Sequence, residues 1–290
     1  FAKFDVIHYK VKTGLEGSQK ENMHSIGRFH FPGDIMLIDS HAHLDIRDFN
    51  KDRPDVIERA VSGGLSHIIT IGIDLDSSRS ALELARTYDF IYAAVGYHPH
   101  HADACTPQAL DSLTQIASDQ KVVAWGEIGL DFYRLYSPKD AQFRAFQQQL
   151  EIANDLNLPV IIHDRDAHDD VFEILKKIGK GERKGVIHCY SGDRDLADAF
   201  IEMGYYISIP GTVTYKKASK IKDVASNIPI ERMLIETDAP FLTPVPKRGK
   251  RNEPSYVTYT AQEVARLRNM SFKEVATQTA KNAKTLFGLL

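Results

Sequence analysis

Six side chains of metal-binding types stand where short hydrophobic runs of the sequence end. They are His41, His43, Glu127, His163, His188 and Asp238. Residues i and i+2 of a strand face the same side, so the two imidazoles of His41-Ala42-His43 can enter one cavity. Imidazole nitrogens combined with carboxylate oxygens suit first-row divalent cations. The residue types and their positions therefore predict a site for one or two divalent metal ions.

The carboxylates in this set indicate what the ions would do. Glu127 has two oxygens that can bridge two cations, and the flanking glycines let the backbone approach a ligand closely. Asp238 can bind a cation and also orient or deprotonate a water molecule. Two cations about 3.5–4 Å apart acidify water and neutralise charge on the attacking and leaving oxygens. These residues predict metal-assisted hydrolysis, with zinc, manganese, nickel or iron in the His-rich site and magnesium also supporting activity.

Short apolar runs rich in β-branched residues recur along the chain at intervals of roughly 30 residues, as in strand–helix units. They cover residues 36–40, 67–73, 91–96, 121–126, 159–162, 185–189, 204–209 and 232–236. Near-continuous apolar runs are typical of parallel strands buried on both faces. Between them, helical spacing of apolar residues predicts helices over 54–62, 77–88, 138–156, 168–178 and 194–203. A Ser271–Glu274 capping box predicts a last helix that ends near Gly288.

This alternation predicts an α/β fold, and a closed (β/α)8 barrel shares it with an open doubly wound sheet. Three observations favour the barrel. The runs number eight, and no Gly-x-Gly-x-x-Gly follows an early strand. The metal-binding residues come from the first run to the last, and only closure brings those ends together. We therefore predict a single TIM-type barrel over residues 36–290, preceded by an N-terminal extension over the polar residues 1–35.

Composition narrows the class of protein. The chain has 36 basic and 39 acidic side chains, a formal net charge of −3, which argues against coating duplex DNA through a broad basic face. No apolar stretch approaches the roughly 20 residues that span a bilayer, so no membrane association is expected. Two cysteines, Cys105 and Cys189, form no Cys-x-x-Cys pattern. They predict reduced thiols and a cytoplasmic location, and no obligate protein partner is evident.

From Met36 to Leu290 the chain resembles the TatD-related metal-dependent hydrolases, many of them described as deoxyribonucleases. The resemblance is carried by motifs such as His-x-His, Gly-Glu-Ile-Gly-Leu-Asp and Glu-Thr-Asp-Ala-Pro. The matching segments are residues 38–44, 95–100, 126–133, 161–167, 186–192, 236–240 and 248–254. The resemblance covers nearly the whole predicted barrel. It implies a distorted TIM barrel of the amidohydrolase superfamily.

The resemblance also implies roles for individual residues. By the family pattern, one ion is held by His41, His43, Glu127 and Asp238, and the other by Glu127, His163 and His188. His98 would face the substrate phosphate. The departures are Tyr190, where the family often has Phe, and the extension over residues 1–35, which the family does not explain.

Several residues near the strand ends are candidates for substrate contacts. His98 precedes Pro99 at the end of the third run, and we interpret it as a proton donor or phosphate contact, the alternative being a loop hydrogen bond. The neighbouring His100 and His101 are interpreted as solvated loop residues. Glu236 shares a strand face with Asp238 and could meet a partner behind the metal site.

Basic and aromatic residues follow other strands. Lys247, Arg248, Lys250 and Arg251 form a basic run after the eighth strand, either a phosphate clamp or a solvated face. The rings of Tyr97, Tyr133 and Tyr190 could stack on nucleobases or serve as loop packing. From these we select Tyr133, Arg248 and Arg251 as predicted substrate contacts.

The function predicted from the sequence is a divalent-metal phosphodiesterase. Its expected substrates are DNA ends or single-stranded DNA, cut as a 3′-to-5′ deoxyribonuclease, with Asp238 and His98 as catalytic residues. The alternative keeps the metals and changes the bond: an ester or amide hydrolase, such as a deacylase of misacylated tRNA, whose RNA the same basic run would hold. A non-catalytic barrel is disfavoured because the set of metal-binding residues is complete.

Overall fold

Eight parallel strands form a nearly closed barrel. The structure, a computed structural model, describes residues 36–179 and 181–289. The strands are β1 (Leu37–Ala42), β2 (Leu65–Ile71), β3 (Ile91–Val95), β4 (Val122–Asp131), β5 (Val160–Arg165), β6 (Gly185–Ile187), β7 (Tyr206–Ile209) and β8 (Met233–Ile235). They follow one another around the sheet in sequence order. The predicted (β/α)8 barrel is confirmed, while the predicted extension over residues 1–35 lies outside the described residues.

Helices alternate with the strands along the chain, and two further helices follow the last strand. They are α1 (Arg53–Ser62), α2 (Leu75–Thr87), α3 (Pro107–Ala117), α4 (Lys139–Asp155), α5 (His168–Ile178), α6 (Arg194–Glu202), α7 (Ser219–Asn227), α8 (Val257–Arg268) and α9 (Phe272–Phe287). The predicted capping box is present at Ser271 and Glu274, and α9 ends at Gly288 in a left-handed conformation. Within the described parts of the chain, none of the helices combines the length and the apolar character needed to cross a membrane.

Apolar side chains fill the barrel interior at the end where the strands begin. Ile38, Ile69 and Ala124 belong to one apolar cluster with Ala283 and Phe287 of α9. In the same helix, the Asn282 side chain donates hydrogen bonds to the backbone carbonyls of Met233, which begins β8, and of Ile230 in the turn before it. The helix therefore plugs the bottom of the barrel. Polar side chains collect at the opposite end, where the strands finish.

The barrel closes between β8 and β1 through a few specific contacts. The Thr237 backbone N–H donates to Asp39 Oδ1 at 2.9 Å, and its hydroxyl donates to Asp39 Oδ2 at 2.5 Å. Beyond them, Asp238 N–H donates to the His41 carbonyl, and His43 N–H donates to the Ala239 carbonyl. These contacts fix the chain around three of the predicted metal-binding residues.

Candidate metal centre

Glu127 lies at the middle of a buried cluster of imidazoles. Its Oε1 atom lies 2.6 Å from His163 Nδ1 and 2.7 Å from His188 Nε2. Its Oε2 atom lies 3.3 Å from His41 Nε2 and 3.8 Å from His43 Nε2. The two oxygens of one carboxylate thus face two different imidazole pairs, which is the arrangement expected of a carboxylate that bridges two cations.

Asp238 completes the cluster from the β8 side. Its Oδ1 atom lies 3.7 Å from His41 Nε2 and 3.5 Å from His43 Nε2. Three overlapping groups hold ligand atoms within 4.8 Å of one another. They are His41–His43–Glu127, His41–His188–Asp238 and His98–Glu127–His163. All six residues predicted to bind metal therefore come together, and His98 lies beside them.

A bulge in β1 turns the His-x-His pair into the barrel. From Asp39 to Ala42 this strand advances three residues, while β2 advances two, from Ile68 to Thr70. One extra residue reverses which side chains face inward, and bulges commonly redirect side chains beside active sites. Ile38 and Ser40 also face the interior: Ile38 belongs to the apolar cluster there, and the Ser40 hydroxyl lies 3.3 Å from that of Ser208 in β7.

Glu127 is positioned by a second bulge. From Trp125 to Ile128 the strand β4 advances three residues, whereas β5 advances two, from Val160 to Ile162. The backbone there is packed closely enough that a Cβ on Gly126 would lie 2.6 Å from the Ile161 side chain. A larger residue would displace β4 against β5. The glycine therefore lets the bulge, and the carboxylate after it, sit deep in the barrel.

A second layer of polar groups behind the cluster lies close to the far nitrogens of three of its imidazoles, with hydrogen-bonding geometry at His163 and His43. His163 Nε2 lies 3.1 Å from Asp131 Oδ2, and His188 Nδ1 lies 3.3 Å from Glu236 Oε1. His43 Nδ1 lies 3.1 Å from the Ile71 carbonyl, to which it must donate because a carbonyl only accepts. Such partners fix the tautomer and orientation of a metal-binding histidine.

The protonation states of the carboxylates and imidazoles in the cluster depend on one another. Burial opposes ionisation of Glu127, but the neighbouring His188 holds the pKa of its carboxyl well below the ordinary value. Burial likewise opposes a charged His43, yet Asp238 and Glu127 raise the pKa of His43 to about 9. Without cations, the cluster therefore keeps protons on some of its imidazoles to balance the carboxylates. Divalent ions would supply the same positive charge and displace those protons.

The donor set fits divalent cations. His41 Nε2 and His43 Nε2 lie 3.3 Å apart, so two ring nitrogens and two carboxylates converge on one small buried space. The rings of His41 and His188 are stacked, with centroids 3.8 Å apart. Among the described residues, the buried His41 Nδ1 has no hydrogen-bonding partner. Protons alone satisfy such a set of nitrogen and oxygen atoms poorly.

Asp131 provides a test of the second layer. We expect Asp131→Asn to weaken metal binding about 10- to 100-fold, because the amide no longer supports His163 as a charged acceptor. Metal affinity would be measured by competition with a chromophoric chelator. Asp164→Asn is the matched control, since it alters a buried aspartate 2.8 Å from His168, a histidine outside the cluster. Equal affinities for the two variants would contradict this role of Asp131.

Two residues of this layer were not identified from the sequence. His100 was interpreted as a solvated loop residue, and this is wrong: its Nε2 lies 2.8 Å from Asp131 Oδ2. Asp131 therefore contacts both His100 and His163 while being fully buried. A signal was available in the sequence, because Asp131 closes the Gly-Glu-Ile-Gly-Leu-Asp motif that contains Glu127.

The predicted substrate residues differ in how much of each side chain is exposed and in the contacts that each already makes. Tyr133 is 57% exposed, with the Arg165 guanidinium 4.0 Å from its ring centroid. Arg248 is exposed and lies 4.5 Å from the ring centroid of Tyr215. In contrast, Arg251 donates two hydrogen bonds to Asp52, at 2.8 and 2.7 Å. A substrate role for Arg251 stays a prediction and would require it to share these donors.

The other two tyrosines considered for base stacking are buried. Tyr97 is 5% exposed and Tyr190 is 3% exposed, with the Tyr190 hydroxyl donating to the Asp193 carbonyl. Their rings pack in the core, so the packing alternative is confirmed for both residues.

Comparison with known proteins agrees with the fold and identifies the family. A model of the TatD related DNase family matches residues 38–288. An uncharacterized metal-dependent hydrolase, YabD of Bacillus subtilis (strain 168), is 46% identical over 252 residues, covering 87% of this chain and 99% of that protein. The 3'-5' ssDNA/RNA exonuclease TatD of Salmonella typhimurium is 36% identical over 256 residues, covering 87% and 98%.

A solved structure supports the same conclusion. The crystal structure of YjjV, a TatD homolog from Escherichia coli K12, matches with a TM-score of 0.83 and 34% identity, covering 88% of this chain and 98% of that one. Barrel, motifs and relatives agree over the same stretch of sequence. The chain belongs to the TatD-related family of metal-dependent hydrolases.

Proposed function

We propose that this hydrolase is a divalent-metal phosphodiesterase that removes nucleotides from the 3′ end of single-stranded or frayed DNA. The observation that carries the proposal is the position of Glu127 between two imidazole pairs. One ion would be held by His41, His43, Glu127 and Asp238, and the other by Glu127, His163 and His188. Zinc, manganese, nickel or iron suits these ligands, and magnesium would also support activity.

Asp238 is the residue best suited to handle the attacking water. Its side chain is 13% exposed, compared with 3% for Glu127, so it is the more accessible carboxylate of the cluster. When bound, the cations would lower the pKa of a water molecule and neutralise charge on the phosphoryl oxygens. Asp238 would orient that water and accept its proton.

His98 is set up as a neutral hydrogen-bond donor. Its Nδ1 accepts the backbone N–H of His100 at 3.0 Å, so a neutral ring carries its proton on Nε2. That atom lies 3.3 Å from His163 Nδ1 and 3.5 Å from Glu127 Oε1. Burial holds the pKa of His98 well below its ordinary value, which keeps the ring neutral. His98 would therefore stabilise phosphoryl charge by donating a hydrogen bond.

The choice of substrate rests on the relatives and on the surroundings of the site. The Salmonella relative is named as a 3'-5' ssDNA/RNA exonuclease, which supports a nucleic acid with a free 3′ end. The cluster is almost fully buried at the end of a barrel, where a flexible strand end reaches it more easily than an intact duplex. The exposed Arg248 would attract phosphates. The cytoplasmic location predicted from the cysteines stays a prediction.

The decisive experiment is digestion of end-labelled single-stranded DNA. The purified chain would be stripped with a chelator and supplied with manganese, magnesium or zinc. We expect 5′-labelled DNA to shorten one nucleotide at a time, with no cleavage while the chelator is present and strong inhibition by 3′-terminal phosphorothioate linkages.

A parallel assay separates the alternative function. Misacylated tRNA would be incubated under the same conditions, and released amino acid and nucleotides would be measured. Release of amino acid from intact tRNA, without shortening of DNA, would show that the protein is a deacylase and contradict the nuclease function. Loss of nucleotides from the DNA alone supports the phosphodiesterase.

A further inference from the structure

Exposed large apolar side chains are concentrated at two loops at the end of the barrel where the strands finish. We call this end the mouth of the barrel. In the described parts of the chain they are Met36, Tyr133, Leu135, Tyr136, Leu156, Phe241 and Val245. The loop after β4 carries three of them, and the loop after β8 carries two. These strands are four positions apart in an eight-stranded barrel, so their loops stand on opposite sides of the mouth. Exposed apolar groups gathered around a polar site commonly mark a binding surface.

Two of these side chains are aromatic rings that contact histidines of the site. The Tyr136 ring centroid lies 4.7 Å from that of His100, with the planes at 71°. The Phe241 ring centroid lies 6.0 Å from that of His43, with the planes at 66°. Both aromatic side chains are nevertheless more than half exposed, at 66% for Tyr136 and 53% for Phe241, so much of each ring surface is open to solvent.

Within residues 36–179 and 181–289, no cationic group lies over either ring, and no further ring contacts them. Tyr133 differs from them, because the Arg165 guanidinium covers one of its faces at 4.0 Å. The two loops therefore offer two exposed aromatic rings on opposite sides of the metal cluster. Cationic side chains stand on the same loops, including Arg134 and Arg248.

The chemistry of this arrangement matches a single strand with unpaired bases. Every nucleobase has a flat π-face that stacks on aromatic side chains, and the backbone phosphates suit cations. A duplex keeps its bases stacked on one another and offers no free inner face. A small phosphate ester would reach the metal cluster without needing two aromatic rims.

We propose that Tyr136 and Phe241 are stacking platforms for two unpaired bases that flank the scissile phosphate. The proposal rests on the proposed nuclease function and deepens it. The rings hold the bases on opposite rims, so the phosphate between them is drawn towards Glu127 and Asp238. The enzyme thereby selects strand ends whose terminal bases are free to unstack.

The test uses substrates that lack bases but keep their phosphates. Single-stranded oligonucleotides would carry either natural residues or abasic tetrahydrofuran residues at the last two 3′ positions. We expect the wild-type kcat/KM to fall roughly 10- to 100-fold on the abasic substrate, because two base–aromatic stacks are lost. Tyr136→Ala and Phe241→Ala should each raise KM about 5- to 20-fold on the natural substrate. On the abasic substrate, neither alanine variant should be much less active than the wild type.

Conservative and remote variants sharpen the comparison. Tyr136→Phe and Phe241→Trp keep an aromatic face and should retain near-normal KM. Leu156→Ala removes an exposed apolar side chain at the end of α4, away from the mouth, and should leave both substrates unchanged. Manganese stoichiometry would be measured for every variant, because an unaltered stoichiometry shows that the metal cluster is intact.

The outcomes distinguish this proposal from the proposed function. Equal cleavage of natural and abasic oligonucleotides by the wild type would leave the nuclease standing and overturn the stacking platforms. Equal losses by the alanine variants on both substrates would assign their effect to the cluster and also overturn the platforms. No cleavage of either substrate by the metal-loaded wild type would overturn the nuclease function, and the platforms with it.

Discussion

Replacing Glu127 by glutamine is expected to lower kcat/KM for single-stranded DNA by roughly 10³-fold or more, since bound cations contribute several kcal/mol to hydrolysis. The substitution keeps the size of the side chain and removes its charge. It also turns one oxygen into an NH₂ group, which would face either the His41–His43 pair or the His163–His188 pair. One half of the cluster then loses a ligand, and both halves lose the shared negative charge.

Metal content tests this explanation directly. The wild type should bind two manganese ions per chain and Glu127→Gln at most one, as measured by equilibrium dialysis and elemental analysis. Glu263→Gln is the control, because Glu263 pairs with Arg266 at the surface and lies on α8. It should bind and cleave as the wild type does. A Glu127→Gln protein with full activity and two ions would reject the bridging role.

Much of the barrel could be predicted from the sequence because its strands are buried on both faces. Six of the eight apolar runs end within two residues of the observed strand end, whereas the runs 121–126 and 159–162 stop five and three residues before the ends of β4 and β5. His188 directly follows the strand β6, and Asp238 lies three residues beyond β8. Hydrophobic burial and the parallel order of the strands were therefore enough to place the metal-binding residues at one end. The helices α3, α7 and α8 were not assigned from the sequence, since their apolar spacing was not recognised.

The direction of the key side chains could not be predicted in the same way. Ser40 faces the barrel interior, so strict alternation along β1 would turn His41 outward. The bulge between Asp39 and Ala42 reverses this, and a bulge is defined by the pairing with β2. The spacing of residues within one strand holds no information about that pairing. Glu127 depends in the same manner on the pairing of β4 with β5.

Ion pairs between residues far apart in the chain could not be predicted from the sequence either. Arg251 belongs to a basic run that resembled a phosphate clamp, yet it pairs with Asp52, 199 positions earlier in the chain. Glu253 similarly pairs with Arg59. Both contacts join the loop after β8 to the region of α1. A run of basic residues indicates available charge, but the three-dimensional neighbours decide how much of it a substrate can reach.

Replacing Asp238 by asparagine should lower kcat about 10²- to 10³-fold with a smaller effect on KM, because the proposed proton acceptor for water is lost. The change is conservative for the backbone. Asp238 has a left-handed φ of 55°, which asparagine also tolerates. Its N–H donates to the His41 carbonyl, and its carbonyl accepts from Phe241 N–H, and both contacts survive the substitution.

The substitutions of Asp238 and Glu127 should therefore impair the same site in different ways. Asp238→Asn should retain an ion between Glu127, His163 and His188, whereas Glu127→Gln weakens both positions. Asp166→Asn is a matched control, since Asp166 is an exposed aspartate with a left-handed φ of 54° after β5. It should keep near-normal kcat. If Asp238→Asn kept a normal kcat with both ions bound, water activation would have to come from another group, and the accessible carboxylate of the cluster would be only a ligand.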